Sequence, residues 1–179
     1  MNTGKISVRY SSALYSIAKE RGEEESVYEQ MHALSEAFFH TPGMSAALSN
    51  PMYSDDDKLK LLRTAIGAGL TETVDQFFLF VVKKERLEFM PFMSMMYQEI
   101  YRKDKNIVLS KVITARKLKS EALEALRQKV SKSTGKQVVM YDETNEDLIG
   151  GFVLELNNLR YDASVKASLE KIESKLTGK

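Results

Sequence analysis

Apolar residues recur at helical spacing from Ile6 to about Asp104 and then give way to alternation. Ile6, Tyr10, Ala13, Leu14 and Ile17 form one stripe, and Val27, Met31, Leu34 and Phe38 form a second. The same period runs through Leu59, Leu62 and Ile66, through Val74, Phe77, Phe78 and Val81, and through Met93, Met96 and Ile100. Breaks fall between these runs. "TPG" at Thr41 to Gly43 interrupts the chain, and Ser54 before Asp55, Asp56 and Asp57 reads as a capping box with acids at the positive end of a helix dipole. "GAG" at Gly67 to Gly69 supplies a helix stop, and Thr71 or Thr73 can cap the next start. The first part predicts a bundle of five or six short helices.

After "RKDKN" at Arg102 to Asn106 the period changes, which places a domain boundary there. "IVLSKVITA" from Ile107 is rich in β-branched residues and predicts a strand. Ser120 is placed to cap a helix carrying Leu123, Leu126 and Val130, which ends near "STGK" before the strand "QVVMY". Phe152, Leu154 and Leu156 then alternate with Val153 and Glu155, and Asn157-Asn158 tolerates the positive φ angles of a two-residue hairpin turn. That turn pairs Leu156 with Leu159 and brings Tyr161 opposite Leu154. Asp162 and Ser164 start a last helix, with Val165, Leu169, Ile172 and Leu176 on its buried side.

Composition narrows the function classes. The 179 residues are 43% hydrophobic and 28% charged, the balance of a globular protein with room for one domain or two small ones. With 26 basic and 25 acidic residues the net charge is +1, so no global field draws the chain onto nucleic acid or an anionic membrane. The 0 cysteines exclude disulfides, thiolate metal sites and cysteine nucleophiles. "FFLFVV" at Phe77 to Val82 is too short to span a bilayer and runs straight into Lys83 and Lys84. The N-terminus has neither an apolar signal core nor an Arg-rich leader, which leads to the expectation of a protein on the cytoplasmic side with no removed leader.

Candidate chemistry is sparse. Gly150 and Gly151 precede a strand, whereas the glycines of phosphate-binding loops follow a strand and open a helix, so close backbone approach or a bulge explains them better. His32 and His40 are eight residues apart, about two turns, and no zinc pattern accompanies them. The acidic triplets Glu23 to Glu25 and Asp55 to Asp57 sit at helix starts, where dipole and capping roles suffice. "TGK" at Thr134 lacks the rest of a Walker loop and reads as a turn. A nucleic-acid or free-standing adaptor module is the rival reading, because Arg116, Lys117, Lys119, Arg127, Lys129, Lys132 and Lys136 cluster in the second part; without stacking aromatics or a GxxG loop, a solvated helix face accounts for them better. "FMPFMSMMYQEIY" from Phe89 reads as methionine filling a bundle core. "FFLFVVKK" is apolar nearly all round a helix, so part of it must face something other than the core, which favours docking of a partner helix.

These residues resemble a known family, the delta subunit of F-type ATP synthase, whose mitochondrial relative is the oligomycin-sensitivity-conferring protein. "RYSSALYSIAKERG" resembles the family's first helix, and "FFLFVVKKERLEFMPFMSMMYQEIY" resembles its fifth and sixth, with the Arg-Leu pair at Arg86 and Leu87. The segment from Val112 to Ile172, with its glycine pair, hairpin and Asp-x-Ser-Val helix start, is similar to the C-terminal signature. Ala163 stands where the family usually has glycine, and "NED" at Asn145 replaces the more usual Asp-Pro-Ser.

The expected architecture is therefore mainly α: an N-terminal six-helix bundle over 1–105, followed by a small α/β (β-α-β-β-α) C-terminal domain over 106–179. The resemblance implies a noncatalytic stator subunit of the proton-translocating ATP synthase, with no catalytic residues, cofactor or metal. It implies a peripheral protein on the cytoplasmic face of the bacterial inner membrane, without membrane insertion or nucleic acid, and a monomer when isolated. Its bundle would bind N-terminal helices of the alpha subunits, and its C-terminal domain would contact subunit b of the peripheral stalk. Tyr10, Ala13, Leu14 and Ile17 match the family's first-helix positions, and Gln76, Phe80 and Lys83 lie on one side of the fifth helix; together they are the expected walls of an alpha-subunit helix groove. Gly150, Gly151, Asp162, Ser164, Val165 and Leu169 are the expected structural signature, the glycines shaping the hairpin and the last two residues packing the final helix against it.

Overall fold

In the computed structural model the described residues are 3–156, 159–167 and 169. The chain divides into two compact units between Asp104 and Lys105. The first is all helical: α1 (Thr3–Arg21), α2 (Glu24–His40), α3 (Gly43–Ser49), α4 (Asp55–Ile66), α5 (Glu72–Lys83), a 3₁₀ turn (Leu87–Phe89) and α6 (Met90–Asp104). Helix ends follow local chemistry. Ser54 Oγ accepts the Asp57 N–H at 3.2 Å and donates to the Asp57 carboxylate at 2.6 Å, closing the box that starts α4. Gly67, at φ +79°, stops that helix, and Thr71 Oγ1 accepts the Val74 N–H to start α5. Between them the buried amide of Gln30 donates to the Gly69 carbonyl and accepts from the Thr71 N–H, fixing the connection from inside. Arg63 meets the Asp75 carboxylate through two nitrogens, at 2.6 and 2.9 Å, and so links α4 to α5.

The core of this unit is built from Val27, Met31 and Leu34 of α2, Leu59 and Leu62 of α4, Val74, Phe78 and Val81 of α5, and Met90, Met93 and Tyr97 of α6. The methionine run thus supplies core from Met90 and Met93. One expected stripe is displaced: α1 buries Ser7, Ser11, Leu14, Tyr15 and Ala18, while Ile17 stays 46% exposed. The cause lies at Ser11. Ser11 Oγ donates to the Met93 carbonyl at 2.7 Å, so a polar side chain satisfies itself inside and leaves no bulk between α1 and α6.

The second unit carries β1 (Ile107–Thr114), α7 (Ser120–Thr134), β2 (Gln137–Thr144), β3 (Gly151–Leu156) and β4 (Leu159–Ser164) in a sheet of order β2-β1-β3-β4. The β1–β2 pair is parallel, joined by α7 as crossover, and the other two pairs are antiparallel. Leu156 faces Leu159 and Leu154 faces Tyr161, the register the hairpin reading requires. Its turn, Asn157 and Asn158, lies outside the described residues. The second arm extends to Ser164 and forms a full strand, so the unit holds four strands among the described residues. Val108, Val112, Val138 and Val153 form its core with Val130 of α7.

Ser120 does not cap α7. The chain is extended at Lys119, with ψ 146°, and Ser120 is already helical, so the N-cap position falls on Lys119 without a side-chain cap. The helix ends at Thr134 with Gly135 in the left-handed region as its C-cap, so "TGK" runs from the last helical residue through the turn.

Candidate partner-binding cleft

Two helices enclose an open apolar cleft of about 540 Å³ on the bundle: α1 supplies Arg9, Tyr10, Ala13, Leu14, Ile17 and Arg21, and α5 supplies Thr73, Gln76, Phe77 and Phe80. The helices run antiparallel across it. At one end Arg21 Nη1 donates to Thr73 Oγ1 at 3.1 Å, and Thr73 in turn donates to the Glu23 carboxylate. At the other end the rings of Tyr10 and Phe80 lie 5.7 Å apart. Leu14 and Phe77 are buried at its floor, while Ile17 and Phe80, 46% and 49% exposed, stand on its walls.

The local sequence explains the opening. Because Ser11 turns toward α6 and Ser7 is buried with it, the apolar stripe of Tyr10, Ala13 and Ile17 is left facing outward. On α5 the continuous apolar run gives Phe77, Phe78, Val81 and Val82 to the interior and leaves Leu79 and Phe80 outside. The Lys84 ammonium lies 5.9 Å from the centre of the Phe80 ring.

Six of the seven residues expected in the groove, Tyr10, Ala13, Leu14, Ile17, Gln76 and Phe80, line this cleft. Lys83 does not line it. Although i+7 spacing from Gln76 keeps it on the same side of α5, it is exposed in the last turn, one turn beyond Phe80. The expected set also left out Arg9, Arg21, Thr73 and Phe77. Arg21 continues the Ile17 stripe at i+4, and Phe77 belongs to the apolar run of α5 whose outward part the sequence does not specify residue by residue.

The C-terminal signature residues are structural in their contacts. Gly151 has φ +78°, and a Cβ there would meet the Ala163 carbonyl oxygen at 2.3 Å and Ser164 Cα at 2.9 Å. A Cβ on Gly150 would lie 3.2 Å from Val165 Cγ2, and the Gly150 carbonyl accepts the Val165 N–H at 3.0 Å. The Asp162 carboxylate accepts the Ser164 N–H at 2.9 Å, and Ser164 Oγ accepts the Ala167 N–H at 3.1 Å, so Ser164 caps the helical turn that begins at Val165. Val165 and Leu169 are not buried as expected: they remain 41% and 52% exposed. This turn leaves from β4, an outer strand of the sheet. Ile172 and Leu176, expected on the same side, lie outside the described residues.

Strongly perturbed acids and bases lie away from the cleft. Burial pushes up the hydroxyls of Tyr15 and Tyr97, and for Tyr15 a 2.8 Å hydrogen bond to the Asp104 carboxylate adds to it. Glu124 is held at about 2 by hydrogen bonds from Arg127 and Gln128, which also engages one cation of the basic cluster. His40 meets Glu36 at 3.3 Å along α2. Among the described residues no group of three or more His, Asp or Glu could hold a metal ion, and no helix is long and apolar enough to cross a membrane.

Comparison with known proteins gives concordant matches. The family model described as ATP synthase delta (OSCP) subunit matches residues 6–176. The ATP synthase subunit delta of Parabacteroides distasonis is 36% identical over 176 residues, 98% of each chain. That of Phocaeicola vulgatus is 34% identical over 180 residues, 100% of this chain and 97% of the relative. A chain of the Toxoplasma gondii mitochondrial ATP synthase hexamer superposes with a TM-score of 0.70 at 20% identity, over 96% of this chain and 97% of its own, and shares the fold.

Proposed function

This chain belongs to the ATP synthase delta (OSCP) subunit family and has that family's stator role in the peripheral stalk; from that premise we propose that it works as a noncatalytic joint with one partner on each unit. The helical unit receives an N-terminal helix of an alpha subunit in the cleft between α1 and α5. The second unit contacts the end of subunit b. The protein then sits peripherally on the cytoplasmic face of the bacterial inner membrane and holds the catalytic head against rotor torque.

The observation that carries this reading is the open apolar cleft, whose walls are the half-exposed Ile17 and Phe80. An amphipathic helix laid there covers both side chains, each gaining about 1 kcal/mol for the half still in water. Ala13, between Tyr10 and Ile17, is small enough to let the two backbones approach. The mechanical load asks for slow dissociation, which apolar burial provides, since affinity differences reside mostly in the off-rate. Exposed Ile149, Leu159 and Tyr161 on the second unit support a further protein contact there.

Calorimetric titration of the full-length protein with a synthetic peptide of the cognate alpha subunit's N-terminal segment tests the cleft. Saturable one-to-one binding that persists at high salt is expected, and Ala13→Asp should abolish it while circular dichroism stays native. Unchanged affinity of the Ala13→Asp protein would overturn the assignment.

A further inference from the structure

The two ends of the cleft differ in charge. At the Arg21 end, the guanidinium is bonded to Thr73, which is bonded to the Glu23 carboxylate, so cation and anion stand within one hydrogen-bonded chain. At the Tyr10–Phe80 end, Arg9 lines the cleft, Lys84 lies against the Phe80 ring and Lys83 is exposed in the same last turn of α5. No carboxylate pairs with Arg9, Lys83 or Lys84 among the described residues. One mouth of an apolar groove is therefore cationic and the other balanced.

We infer that the docked helix lies in one direction, with carboxylates at its end nearest Tyr10 and Phe80, where Arg9 and Lys84 meet them. This rests on the cleft being a helix-binding site and adds the chemistry of the occupant. From Arg9 to Arg21 the cleft follows α1 over a rise of about 18 Å, enough for roughly three turns of a partner helix. An apolar stripe of that length fits the floor in either direction, because burial is non-directional. The charge asymmetry removes the degeneracy: the reversed helix would bring its carboxylates beside Glu23 and leave Arg9 and Lys84 unanswered. Rim charges of this kind act on encounter and register more than on residence time.

The test is stopped-flow association of the full-length protein with the alpha-subunit N-terminal peptide, over a range of salt. The double variant Arg9→Gln, Lys84→Gln should lower the association rate about tenfold at low salt and flatten its salt dependence, with dissociation changed less than about twofold. A peptide whose acidic residues are replaced by their amides should slow association to the wild-type protein by a similar factor, and the double variant should slow it no further. An unchanged association rate and salt slope in the double variant would overturn the inference, as would a peptide without acidic residues that associates with the same salt slope. Ala13→Asp serves as the separate control. If it abolishes binding while the double variant behaves as wild type, only the charge reading falls; if it binds normally, the cleft itself is the wrong site and the charge reading falls with it.

Discussion

Gly151 is the residue at which backbone conformation and packing make the same demand. Its φ of +78° lies where a side chain is strained, and the space a Cβ would take is held by the Ala163 carbonyl, a backbone atom that cannot rotate away. Gly151→Ala should therefore cost about 3 kcal/mol or more, read by urea denaturation of the full chain. Gly150→Ala should cost much less, because its neighbour is the movable side chain of Val165. Equal losses at the two positions, or none, would contradict this reading. The glycine pair was legible in the sequence as close approach, since it precedes a strand. The groove was legible at Tyr10, Ala13, Leu14, Ile17, Gln76 and Phe80, but not at Arg9, because an arginine beside an apolar stripe is indistinguishable from an ordinary solvated residue until the opposite wall is in place.

Elements were legible where punctuation is chemical and less so where it depends on packing. Ser54 and Thr71 begin helices through side-chain hydrogen bonds, and Gly67 and Gly135 end them at positive φ angles that the lack of a Cβ allows. The orientation of α1 was not legible, since hydropathy points to Ile6, Tyr10 and Ile17 as the buried face while Ser7 and Ser11 are the residues buried, Ser11 against α6. At Ser120 a residue suited to capping sits one position inside its helix, a shift that spacing alone does not fix. The α4 cap gives a prediction with a pH sign. Ser54→Ala should cost about 1 kcal/mol at neutral pH, followed by thermal unfolding. Bonding from Ser54 holds the Asp57 carboxyl below the ordinary aspartate range, so its contribution is present above the unfolded value and is lost as pH falls through the folded one. The gap between wild type and Ser54→Ala should accordingly narrow in acid. A gap that widens as pH falls would contradict the cap.

At the scale of the whole molecule, the change of hydrophobic period after Asn106 separates a helical part from a sheet-bearing part, and the contacts divide between Asp104 and Lys105. The proposed function rests on an apolar surface left over once the core is filled. A joint of this kind should bind its two partners through independent surfaces, so that damage to one spares the other. The direct test mixes the full chain with catalytic head lacking its own delta subunit and with a soluble fragment of subunit b, and follows sedimentation. Wild-type protein should carry the b fragment into the fast-sedimenting head complex, while Ala13→Asp should bind the fragment yet leave it in the slow fraction. A b fragment that stays slow with wild-type protein, or that reaches the head equally well through Ala13→Asp, would contradict the account.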